Sequence, residues 1–345
     1  MSSNESSKVL FVATSRQTMG GITSVLKRYE RMEIWSKYHC AWLETQVNKG
    51  IALKLWYMIK AYITMLFIVP RYDIVYFHTV PGNSLIVQMP VFLYSKLWRK
   101  KTIVHLHVGN QLYEDRDNKI MNFVLNNATK VVTLAMVING YLKDLYSIDG
   151  AVIYKPISKQ PKRDLSNTEK FIFFAAYLIK DKGYTTLLKA FSSISRKYPD
   201  WKLVIAGTGE LEEARKLCNE FGITEQVTIH NWLNRQQMDE MYEKAGIFCI
   251  ASLKEGFPMS FLEAASYGVP VVSTPVGGLV DVLQDGENSM VFDFNNSKQL
   301  AQKLDVLIEN EELRRTISMK LQDLVDTTFS EEAVSLQLDK LYMSL

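Results

Sequence analysis

Short runs of β-branched or apolar residues alternate along the chain with longer amphipathic stretches. In the first half, residues 9–13, 74–77, 103–106, 131–134 and 151–154 predict strands, each near a polar or glycine-bearing turn. In the second half the same signal falls at 171–176, 202–206, 227–230, 247–250, 269–273 and 290–292. Strands separated by helical stretches of about 10 to 15 residues indicate βαβ units and parallel sheets. The pattern runs twice. Between the two runs, residues 156–170 (PISKQPKRDLSNTEK) are polar, carry two prolines and show no periodicity, which reads as a linker. The expected fold is α/β, with two doubly wound domains.

Two further segments stand out. Residues 331–345 place Ala333, Leu336, Leu338, Leu341 and Leu345 near helical spacing, so they predict a terminal helix with one face to bury. Residues 51–69 (IALKLWYMIKAYITMLFIV) are nearly long enough to span a bilayer, but Lys54 and Lys60 interrupt them. The plain reading is an amphipathic helix against the first sheet. The sharper one is a helix lying on a membrane, with Lys49, Lys54 and Lys60 near headgroups and Trp56, Tyr57 and Tyr62 at the interface. Residues 95–101 (SKLWRKK) add a second basic, Trp-bearing patch.

Composition narrows the class. The chain has 345 residues, 47% hydrophobic and 22% charged, enough for two packed cores and unlike a disordered or disulfide-stapled chain. Cys40, Cys218 and Cys249 are widely spaced without a CxxC pair, which argues against a zinc site and fits a reducing compartment. Residues 1–7 are polar and no apolar signal follows them, so the expected location is cytoplasmic. The net charge of +3 conceals an imbalance. Residues 1–165 hold 22 Lys/Arg against 11 Asp/Glu, and residues 166–345 hold 18 against 26, giving +11 and −8. A basic half expects something anionic: nucleic acid, lipid or a phosphorylated substrate. No RNA- or DNA-binding motif accompanies the charge, so nucleic acid is not an expected partner.

The candidate chemistry lies at strand ends, where N–H groups and helix N-termini attract anions. Gly20 and Gly21 follow the first strand, and Gly207-Thr208-Gly209 follows 202–206, but neither completes a GxGxxG fingerprint. A nicotinamide-dependent dehydrogenase is therefore poorly supported. The strongest signal is 255–263 (EGFPMSFLE), followed by 264–278 (AASYGVPVVSTPVGG). Glu255 and Gly256 close a strand-to-helix loop, Pro258 suits a first helical turn, and a helix is expected from Met259. The free N–H groups of Met259, Ser260 and Phe261 then face a diphosphate, and Glu263 reaches a ribose diol. Two carboxylates beside such a cradle are costly unless each binds a hydroxyl, which a sugar nucleotide supplies. Two surface glutamates on a solvated helix would leave the flanking glycines and prolines unexplained.

Glu255 and Glu263 resemble the E-x7-E signature of the retaining glycosyltransferases of family four, which have the GT-B fold of two Rossmann-like domains facing across a cleft. GVPVVSTPVGG, the IAGTGEL at 205–211, the KDKG at 180–183 and the early GG fall in that family's order. The likeness spans nearly the whole second domain and is looser in the first. It implies an N-terminal acceptor domain over 1–160 and a nucleotide-sugar donor domain over 161–330; the C-terminal helix over 331–345 can pack on either domain, including back on the first. It implies a catalytic set of His107 near the transferred sugar, Lys182 on the leaving diphosphate and Glu255 on the sugar hydroxyls. The implied donor-binding set is Gly21, Lys180, Gly209, Phe257, Pro258, Met259, Ser260 and Glu263. The family's usual arginine five residues before the KG lysine is Tyr177 here, and Lys180 is the candidate substitute.

His78 and His105 read as structural histidines. No metal site is expected: Asp115-Arg116-Asp117 lacks a preceding strand and reads as a solvated helix start. The resemblance implies transfer, without cofactor or metal, from a nucleotide diphosphate sugar to a carbohydrate or lipid-linked acceptor. A UDP-sugar is the first expectation and guanosine diphosphate mannose the second. The basic, aromatic-rich first half favours an anionic or membrane-embedded acceptor and peripheral contact with an anionic membrane; with the resemblance, this implies a setting such as bacterial surface polysaccharide assembly. A sugar-nucleotide 2-epimerase and a non-catalytic nucleotide-sugar binding protein share the fold and stay open as alternatives.

Overall fold

Runs such as VLFVA at Val9–Ala13, buried at all five positions, have no polar face to offer water. They need cover on both sides, which is the condition of a parallel sheet. The computed structural model describes residues 7–114 and 116–345. The chain divides into one unit of Met1–Pro156 with Phe329–Leu345, and another of Ile157–Thr328. Residues 1–6 and Asp115 of the DRD triplet lie outside the described residues.

The first unit runs β1 (Val9–Ala13), α1 (Gly21–Tyr29), α2 (Glu33–Lys37), β2 (Ala41–Glu44), α3 (Ile51–Ile68), β3 (Ile74–Thr79) and α4 (Asn83–Leu97). It continues through β4 (Lys101–Leu106), α5 (Lys119–Asn127), β5 (Lys130–Thr133), α6 (Met136–Tyr146) and β6 (Ala151–Val152). Its six strands are parallel in the order β2-β1-β3-β4-β5-β6, so the direction of strand succession switches between β1 and β3. Register places Phe11 beside Tyr76 and His78 beside His105. Because side chains two apart share a face, Tyr76, His78, His105 and His107 line one side of this sheet.

The second unit runs β7 (Glu169–Ala175), α7 (Tyr184–Ile194), β8 (Lys202–Ala206), α8 (Leu211–Glu220), β9 (Val227–His230), α9 (Arg235–Lys244) and β10 (Ala245–Ile250). Then come α10 (Met259–Ser266), β11 (Val271–Ser273), β12 (Met290–Val291), α11 (Ser297–Glu309) and α12 (Glu311–Leu324). The sheet order is β12-β11-β10-β7-β8-β9, again all parallel, with the switch between β7 and β10. A π turn over Val325–Phe329 leads to α13 (Glu331–Met343), which belongs to the first unit. Both sheets, each flanked by helices, have the doubly wound form expected from the hydrophobic pattern.

Four local expectations need correction. The strand β2 went unread because AWLE is four residues long, too short for a period to declare itself. The helix after the DRD triplet starts later, at Lys119, where Asn118 caps it by accepting from the N–H groups of Ile120 and Met121. The terminal helix buries Val334, Leu338, Leu341 and Tyr342, while Leu336 is 62% exposed, so the apolar stripe is rotated from the expected one. Finally, the polar stretch 156–170 is no free linker beyond Pro156. Arg163 buries its guanidinium, donating to the carbonyls of Tyr242 (2.9 Å), Tyr267 (3.2 Å) and Ala245. Its own N–H donates to Gln322 Oε1 at 3.1 Å, fastening the segment to the second unit.

Candidate functional site

In a doubly wound sheet the loops at the switch point diverge and leave a crevice at the C-terminal strand ends. In the second unit those loops follow β7 and β10. The first carries Lys180–Lys182, a single 3-10 turn, and the second carries Glu255. Lys182 Nζ lies 2.5 Å from Glu255 Oε1, and Ser252 Oγ donates to the same oxygen at 3.2 Å. Both charged side chains are about a quarter exposed, reachable by a ligand yet partly shielded from water.

Two glycines explain how these loops come together. Gly183 caps α7 at φ 74°, and a Cβ there would lie 2.1 Å from the Ala251 carbonyl oxygen. The KDKG turn therefore packs directly on the chain leaving β10, where Leu253 N–H donates to Asp181 O at 2.7 Å. Gly277, at φ 53°, would place a Cβ 2.3 Å from Glu255 O, while Gly278 N–H donates to Gly256 O at 2.7 Å. The closing VGG of GVPVVSTPVGG thus holds the Glu255–Gly256 backbone in place. Only glycine combines that backbone conformation with so close an approach.

The helix α10 begins directly after this loop with Pro258 as N-cap, no side-chain cap and no acidic residue in its first turn. The N–H groups of Met259, Ser260 and Phe261 are therefore those a helix leaves without internal partners. Phe257 is 1% exposed, with its ring centroid 6.2 Å from that of Phe261, so it offers a ligand its backbone rather than its ring. Glu263 sits farther along the same helix. Its Oε1 accepts from Arg235 Nη1 at 3.0 Å and its Oε2 from the Tyr242 hydroxyl at 3.2 Å. Burial drives the Tyr242 hydroxyl well above its usual pKa of 10, reinforced by the Glu263 charge, so it stays a donor. Arg235 and Tyr242 were not read as site residues from sequence. The available signal was the N-x-x-Q capping box Asn234–Gln237, which sets Arg235 in the first turn of α9.

The remaining residues of the expected set fall nearby or apart. Gly209 pairs with Leu178 in an isolated bridge beside the β7 loop. The neighbouring Glu210 accepts from the Tyr184 hydroxyl at 2.7 Å. Lys180 and Tyr177 are both exposed, and the structure brings Lys182 rather than Lys180 to Glu255.

In the first unit, Gly21 opens α1 behind Gly20, with no side-chain cap. A Cβ at Gly21 would lie 3.6 Å from Nζ of Lys155, a buried lysine that sequence reasoning did not single out. His107 follows β4 directly, and its Nε2 is 2.8 Å from His78 Nδ1. His105 Nδ1 meets the Tyr76 hydroxyl at 3.1 Å. Burial pushes the His78 imidazole down to about 3. It also pushes His105 and His107 well below 6.5, aided by the neighbouring histidines and Lys155. All three rings are held neutral.

One ring nitrogen from each of His78, His105 and His107 lies within 4.8 Å of the other two, a spacing that could hold a metal ion. His105 and His107 are two residues apart in sequence, and strand register adds His78 beside them. The His78 and His107 rings hydrogen-bond each other directly, and the Lys155 charge adds to the burial that keeps the His107 imidazole neutral.

Residues 157–322 match the profile of the family described as Glycosyl transferases group 1. An uncharacterized glycosyltransferase of Haemophilus influenzae is 29% identical over 251 residues, covering 68% of this chain and 69% of its own. The capsular polysaccharide biosynthesis glycosyltransferase CapM of Staphylococcus aureus is 25% identical over 230 residues, covering 66% of this chain and 59% of its own. Among solved structures, HepE of Anabaena in complex with UDP and glucose superposes with a TM-score of 0.77 at 17% identity, covering 98% of this chain and 100% of that one. That likeness shows the GT-B fold of two Rossmann-like domains. Nearly the whole second unit thus carries the pattern of Glycosyl transferases group 1, and the relatives support a glycosyltransferase of that group.

Proposed function

We propose that this protein is a retaining glycosyltransferase that moves a sugar from a nucleotide diphosphate sugar, a UDP-sugar first, to a carbohydrate or lipid-linked acceptor. The observation that carries the reading is the Lys182–Glu255 pair at the switch point, next to the uncapped start of α10. The UDP and glucose bound by HepE, and the capsule role in the name of CapM, support the donor class and the setting of bacterial surface polysaccharide assembly.

In the reaction, the bond between the anomeric carbon and the diphosphate oxygen breaks and its electron pair stays on the diphosphate. The acceptor oxygen bonds the anomeric carbon on the same face, and its proton leaves with the departing diphosphate. Negative charge therefore grows on the diphosphate while positive charge grows on the ring. Lys182 and the N–H groups of Met259 and Ser260 stabilise the former. Glu255 holds sugar hydroxyls and Glu263 the ribose. Gly209, Phe257 and Pro258 line the donor through their backbone, with Lys180 as an outer cation. For the first unit taken by itself, the family resemblance assigns Gly21 to a diphosphate and the neutral His107 to a sugar hydroxyl. The reaction proceeds without metal, because these fixed charges and dipoles neutralise the leaving group. The enzyme works in the cytoplasm, at the inner face of the plasma membrane.

A thermal-shift panel of nucleotide sugars tests the donor class, since a ligand at about 100 times its Kd raises stability by about 2.7 kcal/mol. One UDP-sugar is expected to stand out, with turnover to an acceptor unaffected by a chelator. No shift with any member would overturn the reading. A product formed from the donor alone would make the protein an epimerase, and a shift without any turnover a binding protein.

A further inference from the structure

The helix α3 departs from the usual surface helix. Among its residues Ala61 is the buried one, and Ile51–Arg71 is long and apolar enough to cross a membrane with 6% of its most apolar window buried. Its inward positions are half-buried and include Lys54, Tyr57 and Tyr62. Its outward positions are Trp56, Ile59, Ile63 and Phe67, each more than half exposed. A soluble surface helix confines its apolar stripe to the core side; this one is apolar inward, at Met58, Ala61, Met65 and Ile68, and carries a second apolar face at solvent.

The neighbouring helix continues the stripe. Tyr62 donates to Val87 O at 3.0 Å and Tyr94 to Leu66 O at 3.2 Å, tying α3 and α4 side by side. On α4 the outward positions Ile86, Leu93 and Leu97 are again apolar and exposed, with Trp98 just beyond. An exposed apolar surface spread over two packed helices marks an interaction site.

Charge identifies the occupant. Between residues 45 and 113 there are eight Lys/Arg and a single acid, Asp73. That acid is engaged by the Lys8 N–H at 2.8 Å. Lys49, Lys60, Lys96 and Arg99 are exposed on or next to these two helices in sequence, Lys60 on the exposed face of α3 itself. A protein partner of mixed charge gains little from such an excess of cations, whereas an anionic lipid surface offers hydrocarbon to the apolar face and phosphate to the cations.

We propose that the outward face of α3 and α4 docks this protein on an anionic bilayer, with α3 lying in the interfacial plane. Spanning is disfavoured by the same geometry. To cross, α3 would have to leave α4 and carry Lys54 and Lys60 into hydrocarbon, whereas in the plane the exposed Lys60 stem can reach the headgroups and Lys54 stays on the inward side.

The test is flotation of the full chain with vesicles of phosphatidylcholine alone or mixed with phosphatidylglycerol, in the absence of any nucleotide sugar. Binding is therefore read separately from the donor reading. Flotation is expected with the mixed vesicles only, weakening with salt and released by alkaline carbonate. The exposed pair Ile59→Glu with Phe67→Glu should cut it at least about tenfold. Leu336→Glu, an equally exposed change on α13, should leave it intact. Both variants should melt with the wild type. Failure to float on mixed vesicles, flotation that survives the α3 pair, or resistance to carbonate would each overturn the proposal. So would a concentration-dependent dimer abolished by the same pair, since the face would then belong to a second copy.

Discussion

At the residue scale, the candidate site depends on which of two lysines carries its charge to the right place. Lys180 and Lys182 are two residues apart, and only Lys182 reaches Glu255, at 2.5 Å. Sequence reasoning put Lys180 forward to replace the arginine missing at Tyr177, but side-chain direction cannot be read from a four-residue turn. If charge on the leaving diphosphate is stabilised mainly by Lys182, Lys182→Ala should lower kcat by about 10²- to 10³-fold. Lys180→Ala should cost less than about tenfold, acting through KM. Steady-state kinetics with the donor varied would separate them; equal losses would give Lys180 the larger part. Glu263 was legible from its spacing to Glu255, yet its partners Arg235 and Tyr242 were not. They arrive from α9, more than 20 residues earlier, and nothing local in the sequence links them to α10.

At the element scale, the loops after β7 and β10 are held together by backbone, with glycine as the permissive residue. Gly277 shows the dependence, because a methyl group there would strike the carbonyls of Glu255 and Gly256 at 2.3 and 2.4 Å. Gly277→Ala should therefore cost about 1–3 kcal/mol, measured by urea denaturation. It should also raise the donor KM by displacing Glu255. An alanine variant with unchanged stability and KM would mean that the loop can shift without consequence. The run GVPVVSTPVGG was legible as part of a motif, but its job was not. The contact it makes is with a loop some 20 residues upstream, and it exists only once β11 lies beside β10. The stretch 156–170 shows the opposite failure. Its composition speaks of a linker, while Arg163 seals it onto the second unit by satisfying three buried carbonyls.

At the scale of the whole molecule, buried histidines couple stability to pH. An unfolded histidine takes up a proton below 6.5, but the buried His78 does so only near 3. Between those values the unfolded state binds more protons, so stability is complete above pH 6.5 and falls as pH drops. His105 and His107 act in the same direction. Each imidazole can contribute a slope of up to about 1.4 kcal/mol per pH unit. Thermal unfolding followed from pH 7 to pH 5, above the range where carboxylates titrate, should show the decline. His78→Gln should make it shallower. A flat profile across that interval would show that the rings are solvated.

Much of this protein was determined by its sequence alone. The two sets of parallel strands followed from apolar runs too hydrophobic to leave either face in water, and their alternation with helices forced the doubly wound form. The acidic pair at 255 and 263 was visible because a loop and a helix start are local events, encoded within nine residues. Other features were decided only by the tertiary structure. Register between β3 and β4 set His78 beside His105 and so next to His107. The switch between β7 and β10 brought Lys182 to Glu255. Packing left an apolar face of α3 outward, where periodicity had allowed either an inward or a membrane-facing helix. The physical reason is common to all three. A periodic pattern states that one face differs from another, but the direction in which that face points is set by contacts between residues far apart in the chain.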